Sequence, residues 1–262
     1  MINIKIRREI DKRKYIYLGV LSFIVIIVVW SLVSGLELIN TIFLPTPLSV
    51  LKYAFKTAKE GVLWSNMGIS VYRITLGFVL AVILGVPIGI AAGTFKPIEA
   101  VVRPVSEFVR YMPVPAFVPL IMVWVGIGES AKITVIFIGT FFQLVLMVAD
   151  DAKSVPDDLL NASYTLGTDT KTAITKVLIP AMMPRLMETL RMMIGWAWTY
   201  LVSAELVAAS SGLGYSILKA QRFVKTDAIF SGIIIIGLLG LITDRIFAIV
   251  NKKLFHWVEG AN

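Results

Sequence analysis

Long stretches of this chain carry no charge. Positions 15–36 and 74–95 hold none, 111–128 and 133–149 are slightly shorter uncharged runs, and 192–218 contains a single charge, Glu205. Positions 228–243 are again apolar, and that run extends to about Val250 past Asp244 and Arg245. A helix of roughly 20 residues crosses the hydrocarbon core of a bilayer. None of the runs alternates as a half-buried strand would, and a chain in lipid must satisfy its backbone groups within each span. The pattern therefore predicts an all-α, polytopic membrane protein with six transmembrane helices. A single domain covers 1–262, with no separate soluble unit.

One connection between these runs is polar and tightly punctuated. The stretch 157–184 reads DDLLNASYTLGTDTKTAITKVLIPAMMP. Pro156 followed by Asp157 and Asp158 is the signature of a first helical turn, where proline loses no hydrogen bond and acids face the positive end of the helix dipole. Gly167 is placed to stop that helix in a left-handed cap. Thr168 or Asp169 can cap a second helix, which carries Ala173, Ile174, Val177 and Leu178 on one face before Pro180 ends it. The expectation is a helix–glycine–helix element outside the bilayer at about 150–184, built to dock rather than to hang free.

Other segments are punctuated differently. Pro45 and Pro47 mark a turn, after which 48–59 has apolar residues at helical spacing, as an interfacial helix or a plain connector would. Gly85, Gly89 and Gly93 recur every fourth residue, the spacing that lets membrane helices approach closely. Pro113, Pro115 and Pro119 fall within seven positions of the third run, so a straight helix is not expected there. Such an interruption either lines a polar path or makes a packing kink.

Composition agrees with the membrane reading: mean hydropathy is +0.83 and only 16% of residues are charged, against about a quarter in soluble domains. The net charge of +8 sits largely at the flanks of the spans, so topology explains it better than nucleic-acid binding. The N-terminal MINIKIRREIDKRK reads as a cytoplasmic anchor rather than a signal peptide, because the apolar run behind it is too long and no small-residue cleavage site follows. An even number of spans puts Asn251, Lys252 and Lys253, and the 150–184 loop, on the same cytoplasmic side. Segments 52–59 and 219–225, with three basic residues each, go against that rule. The chain has no cysteine and a single histidine, His256, which removes disulfides, iron–sulfur clusters and thiolate chemistry. Met182, Met183, Met187, Met192 and Met193 suit a moving interface better than a soft-metal site. No metal site is expected.

The stretch NASYTLGTDTKTAITKVLIP resembles the EAA loop of binding-protein-dependent ABC importer permeases, E-A-A-x3-G-x9-I-x-L-P. Here it reads Asn161, Ala162, Ser163, Gly167, Val177, Ile179 and Pro180, without gaps. Asn161 replaces the motif's glutamate, so no salt bridge is carried over at that position. From about Phe43 onward the chain is similar to the nitrate, sulfonate, taurine and bicarbonate branch, through FLPTPLSV, SVYRITLGFVLAVILGVPIGI, PVPAFVPLIMVWVGIGESAKI and WAWTYLVSAELVAASSGLGYSI. The resemblance implies the type I importer (MetI-like) fold in a bacterial or archaeal cytoplasmic membrane. It further implies an ATP-binding subunit pair on which the loop docks, an extracytoplasmic solute-binding protein, and a second permease copy. One such loop per chain makes a homodimer the simplest assembly. This chain has no G-x4-G-K-[ST] loop of its own, so ATP and Mg belong to the partner ATPase and no cofactor is expected here.

Charges near spans are costly and often functional. Arg103–Glu107, Glu107–Arg110 and Glu188–Arg191 are spaced to pair along a helix. Arg73 and Glu205 have no such neighbour and stand, with Pro113, Pro115 and Pro119, as translocation-pathway candidates. A bridge between Arg73 and Glu205 would look the same in sequence. A channel or ion-coupled carrier working without an ATPase is the alternative, but it would have no use for the capped hairpin. An intramembrane enzyme ranks last, since no histidine cluster, metal-spaced acids or Ser/Lys dyad supports one.

Overall fold

Helices follow the uncharged runs, with the breaks set by proline, glycine and charge. The computed structural model describes residues 10–206 and 209–256; most of the N-terminal basic cluster, and positions 207–208 of the expected fifth span, lie outside the described residues. In chain order the helices are α1 (Lys12–Gly35), α2 (Pro47–Lys59), α3 (Val62–Thr94), α4 (Lys96–Arg110), α5 (Val114–Val125), α6 (Glu129–Lys153), α7 (Asp157–Thr165), α8 (Thr170–Thr172), a π-helical segment (Ala173–Leu178), α9 (Ile179–Leu206), α10 (Leu213–Arg222) and α11 (Thr226–Leu254). The described residues contain no strand.

Four helices, α1, α3, α6 and α11, are long and apolar enough to cross a membrane, and α4 with α5, bent by 103°, brings the number to five if that pair is one broken span rather than a re-entrant loop. α9 is long enough at 28 residues, but Glu188, Arg191 and Glu205 dilute its hydropathy and it is not among these four or five, against the six expected. Large exposed apolar side chains, among them Ile233, Leu238, Leu241 and Ile246 on α11 and Val79, Leu80, Ile83 and Leu84 on α3, form the surface that lipid would cover.

The glycine stripe sets the central contact. A Cβ on Gly77, Gly85, Gly89 or Gly93 would meet Ile136, Leu144, Val148 or Ala152 of α6 respectively, at 3.3 Å or less. Partner numbers rise in step along both helices, so α3 and α6 run parallel, and α5 must return the chain between them. Against this pair, α9 packs its buried Met193, Ala197, Trp198, Leu201 and Ala204, and the Trp198 indole donates to Thr243 Oγ1 of α11 at 3.0 Å.

Two expectations are corrected, while the third run is interrupted as its prolines led one to expect: Pro113 caps α5, Pro115 lies in its first turn, and only Pro119 is interior. Two of the three prolines thus open a short helix where no hydrogen bond is lost. The fifth span is not 192–218; it begins at Ile179, ends at Leu206, and α10 is a separate helix. Pro180, finally, does not end the second hairpin helix, which runs on into α9. Proline's ring crowds the carbonyl four residues back, and the wider π turn at Ala173–Leu178 supplies the room for the chain to pass it.

Candidate functional site

Two constructions sit at opposite ends of α9. The first is a node of buried charge around Arg73 of α3, whose side chain has 0% exposure. Its Nη1 donates to Glu205 Oε1 at 2.6 Å and to the Ser211 carbonyl at 2.8 Å, while Nε and Nη2 fork onto the Glu129 carboxylate at 2.6 and 2.7 Å. Glu205, in the last turn of α9 and equally buried, also accepts from Ser70 Oγ at 2.8 Å and from the Gly214 amide at 2.7 Å. Lys132 Nζ donates to Glu129 Oε1 at 2.8 Å. Two cations thus face two carboxylates, and every charge has a partner, as burial requires.

The same node orders the loop before α10. Ser70 Oγ accepts from the Leu213 amide, and Asn66 Oδ1 from the Gly212 amide, both at 2.9 Å. Gly212 sits at φ +116, and a Cβ there would lie 2.3–2.4 Å from the Glu205 carboxylate. Only glycine lets the backbone pass over that carboxylate. α3, α6, α9 and α10 are therefore joined through one guanidinium and its carboxylates.

Arg73 and Glu205 are brought together, then, but neither lines an open path in this structure: each neutralises the other out of reach of solvent. Glu107 and Arg110 do not pair as their spacing suggested. Arg103 takes Glu107 at 3.4 Å, with Glu99 and Asp150, and Arg110 lies over the Tyr111 ring instead, 4.8 Å from its centroid. Glu188 and Arg191 do pair, and Arg191 also bonds Asp244 at 2.6 Å. The methionines diverge, with Met182 and Met193 in the core and Met183 and Met192 exposed. The described residues hold no cluster of three metal-ligating His, Cys, Asp or Glu side chains.

The second construction is the hairpin. α7 ends in a double backbone cap: the Gly167 amide donates to the Tyr164 carbonyl at 2.9 Å and the Thr168 amide to the Ser163 carbonyl at 3.2 Å, with Gly167 at φ +83. This pair of bonds is the left-handed termination glycine favours. Asp169, not Thr168, caps the following helix, accepting from the Thr172 amide at 3.3 Å. Hydrogen bonding from the Thr172 side chain, and then from its amide, holds the exposed Asp169 carboxyl below its ordinary range. The Thr168 hydroxyl is buried without a partner. Ala173 and Leu178 are buried, Ile174, Val177 and Ile179 are half-buried, and Asn161, Ala162 and Pro180 are exposed. Ser163 is buried and donates to the Leu160 carbonyl. Leu159, Tyr164 and Leu166 project outward, Leu166 with 85% exposure.

Residues 85–256 match the family described as the binding-protein-dependent transport system inner membrane component. The chain belongs to that family. A taurine transport system permease protein of Escherichia coli is 31% identical over 97% of this chain and 94% of its own length. A Bacillus subtilis protein named for aliphatic sulfonates transport is 34% identical over 96% and 92%, and a bicarbonate transport system permease protein of Synechocystis 30% over 90% and 86%. Among solved structures, an inward-facing methionine ABC transporter chain superposes with a TM-score of 0.67 at 17% identity, covering 75% of this chain and 97% of that one. The protein is thus an ABC importer permease of the sulfonate, taurine and bicarbonate branch. It is a multi-pass membrane subunit with a transport rather than an enzymic role, and ATP hydrolysis falls to a separate subunit.

Sequence reasoning did not single out Glu129, Ser70, Asn66, Ser211 or Lys132. Glu129 had a legible signal, as the charge that ends the third apolar run. The others are ordinary polar residues, and only the fold brings them to Arg73.

Proposed function

We propose that this permease imports a small anionic or zwitterionic solute of the sulfonate, taurine, nitrate or bicarbonate kind, and that the 150–184 hairpin is the element through which ATP drives it. The observation that carries the proposal is the hairpin's construction. A loop with no partner would not need a double backbone cap at Gly167, a side-chain cap at Asp169, and a helix continuous with a membrane span. Its exposed Leu159, Tyr164 and Leu166 give an ATP-binding subunit an apolar surface to seat, with Asn161 and Ala162 beside them and Thr168, Val177, Ile179 and Pro180 fixing the junction. Two ATP-binding subunits would carry the ATP and Mg, two copies of this chain would enclose the path, and an extracytoplasmic solute-binding protein would deliver the solute. On this reading both termini and the hairpin are cytoplasmic, and the Arg73 node lies at the outer end. Arg73 and Glu205 then act on the path by fixing the ends of α3, α6 and α9, while Pro113, Pro115 and Pro119 set the short α5 at its bend.

Purification of the chain from native membranes, with mass-spectrometric identification of its partners, tests this. The Gly167→Asp variant makes the test specific. Nothing lies within 4 Å of a Cβ at Gly167, and aspartate is among the side chains that tolerate the left-handed conformation, so insertion should be intact. An ATP-binding subunit is expected with the wild type and lost, or uncoupled, in the variant. Normal solute-stimulated ATP hydrolysis in Gly167→Asp would refute the hairpin's role.

A further inference from the structure

The end of the molecule opposite the hairpin carries cations that form no ion pair with any described residue. Lys52, Lys56 and Lys59 follow one another along α2 at helical spacing and are exposed; Lys219 and Arg222 on α10, and Lys225 after it, are exposed as well. No ion pair among the described residues includes any of the six. The acids at this end are Glu37, Glu60, Asp227 and the Arg73-bound Glu129 and Glu205, and Asp227 is engaged at the start of α11 by the Ala228 amide. α2 and α10 both pack on α11. Tyr53, between Lys52 and Lys56, has its phenol pushed up by burial and then by the charges of Asp227 and Glu60, which places α2 beside the α10–α11 turn. The six cations therefore lie at the same end of the molecule, on or directly after two helices that both pack on α11.

The turn itself is unusual. Val224 sits at φ +52, a region that a β-branched residue enters only under strain. It is held there by its amide on the Gln221 carbonyl at 3.1 Å and the Lys225 amide on the Ala220 carbonyl at 2.9 Å. The result is a fixed tip that presents Phe223 and Val224, both exposed, between Arg222 and Lys225. Strain kept in an exposed, hydrogen-bonded turn is a mark of a contact surface, and an aromatic flanked by arginine is the composition of an interface anchor. Basic residues in short outer segments also oppose the charge bias that sets topology, so insertion does not explain them. A lipid headgroup needs no rigid tip; a protein partner gains affinity from one.

We infer that α2 and the Arg222–Lys225 tip form the seat for an acidic face of the extracytoplasmic solute-binding protein. This rests on the orientation proposed above, and the test separates the two. The chain has no cysteine, so Phe223→Cys gives a unique label. A membrane-impermeant maleimide applied to intact cells should modify it; modification only after lysis would overturn the orientation and the seat together. With outside labelling established, a benzophenone maleimide on the same cysteine is photolysed in intact cells and the adduct identified by mass spectrometry. A solute-binding protein adduct is expected. Its yield should fall about ten- to a hundred-fold when Lys52→Glu, Lys56→Glu and Arg222→Glu are combined, with the chain's size-exclusion profile unchanged. An adduct to lipid or to a second copy alone, no adduct, or one indifferent to the charge reversals would overturn the seat while leaving the orientation standing.

Discussion

The Arg73 node makes an asymmetric prediction about two carboxylates that sequence treats alike. Glu205 has 0% side-chain exposure and Glu129 42%. In Glu205→Gln the amide oxygen can still accept from Arg73 and Ser70, but the amide nitrogen then meets the Gly214 amide donor to donor, and the buried guanidinium loses its buried counter-charge. Breaking a buried pair costs about 3–5 kcal/mol. Glu129→Gln weakens a fork whose carboxylate side water already reaches, so although Arg73 and Lys132 are themselves buried its cost should fall well below that range. At roughly 2–4 °C per kcal/mol for a chain of this size, Glu205→Gln should lower the melting temperature by ~6–20 °C and Glu129→Gln by only a few degrees.

The assay is thermal unfolding of the detergent-solubilised chain, followed by size exclusion, with the double variant Arg73→Gln/Glu205→Gln completing the cycle. The double variant should be less damaged than the two single effects added together, because neither partner is left as an unbalanced charge. Equal melting shifts for Glu129→Gln and Glu205→Gln would refute the argument that burial decides the difference. Strict additivity in the double variant would refute the pairing itself.

Gly212→Ala should reproduce much of the Glu205→Gln defect, since its Cβ would displace the carboxylate it lies over; an unchanged melting temperature would show that the loop has room the structure does not. Gly89→Ala puts a methyl 2.7 Å from Val148 Cβ and 2.8 Å from the Val145 carbonyl, so α3 and α6 must part, at about 1–3 kcal/mol. Gly19→Ala, with nothing within 4 Å, is the matched control and should be silent in the same melting assay. The Asp169 carboxyl is held below its ordinary range by the Thr172 side chain and then its amide, so the cap's contribution is fully present above the ordinary carboxylate range and lost only as pH falls through the lowered folded-state value. Hydrogen-exchange protection at residues 170–173, corrected for the intrinsic pH dependence of amide exchange, should therefore be constant from neutral to mildly acidic pH and lower in Asp169→Ala over that range.

What the sequence made legible was local. Apolar runs are read because bilayer thickness fixes their length, and Gly85, Gly89 and Gly93 because close approach has a four-residue signature. Gly167 and Asp169 are read because a cap is decided within a few residues. What escaped was decided by partners far along the chain or by a backbone compromise. The start of α9 was missed because proline is read as a stop, whereas the π segment lets the helix pass Pro180. Arg73 and Glu205 were noticed as lone charges, but the fork onto Glu129, 56 positions away, has no sequence signature. The burial of Glu205 under Gly212, inside the same apolar run, likewise has no sequence signature.

The two ends of α9 now bear on one another. The hairpin enters it through the π segment, and Glu205 leaves it one residue before its last. At 1.5 Å per residue the helix is about 42 Å long, which is bilayer scale. Its irregularities, the π segment and Pro184, lie in or before its first turns, while the far half is unbroken, packed on α6 and α11, and tied by Glu205 to α3. If the hairpin couples to an ATP-binding subunit as proposed, a push on it would meet compliance first and a fixed pivot last. Movement along α9 would then be a tilt about the Arg73 node rather than a slide, because sliding would have to part the buried Glu205 from the guanidinium that neutralises it.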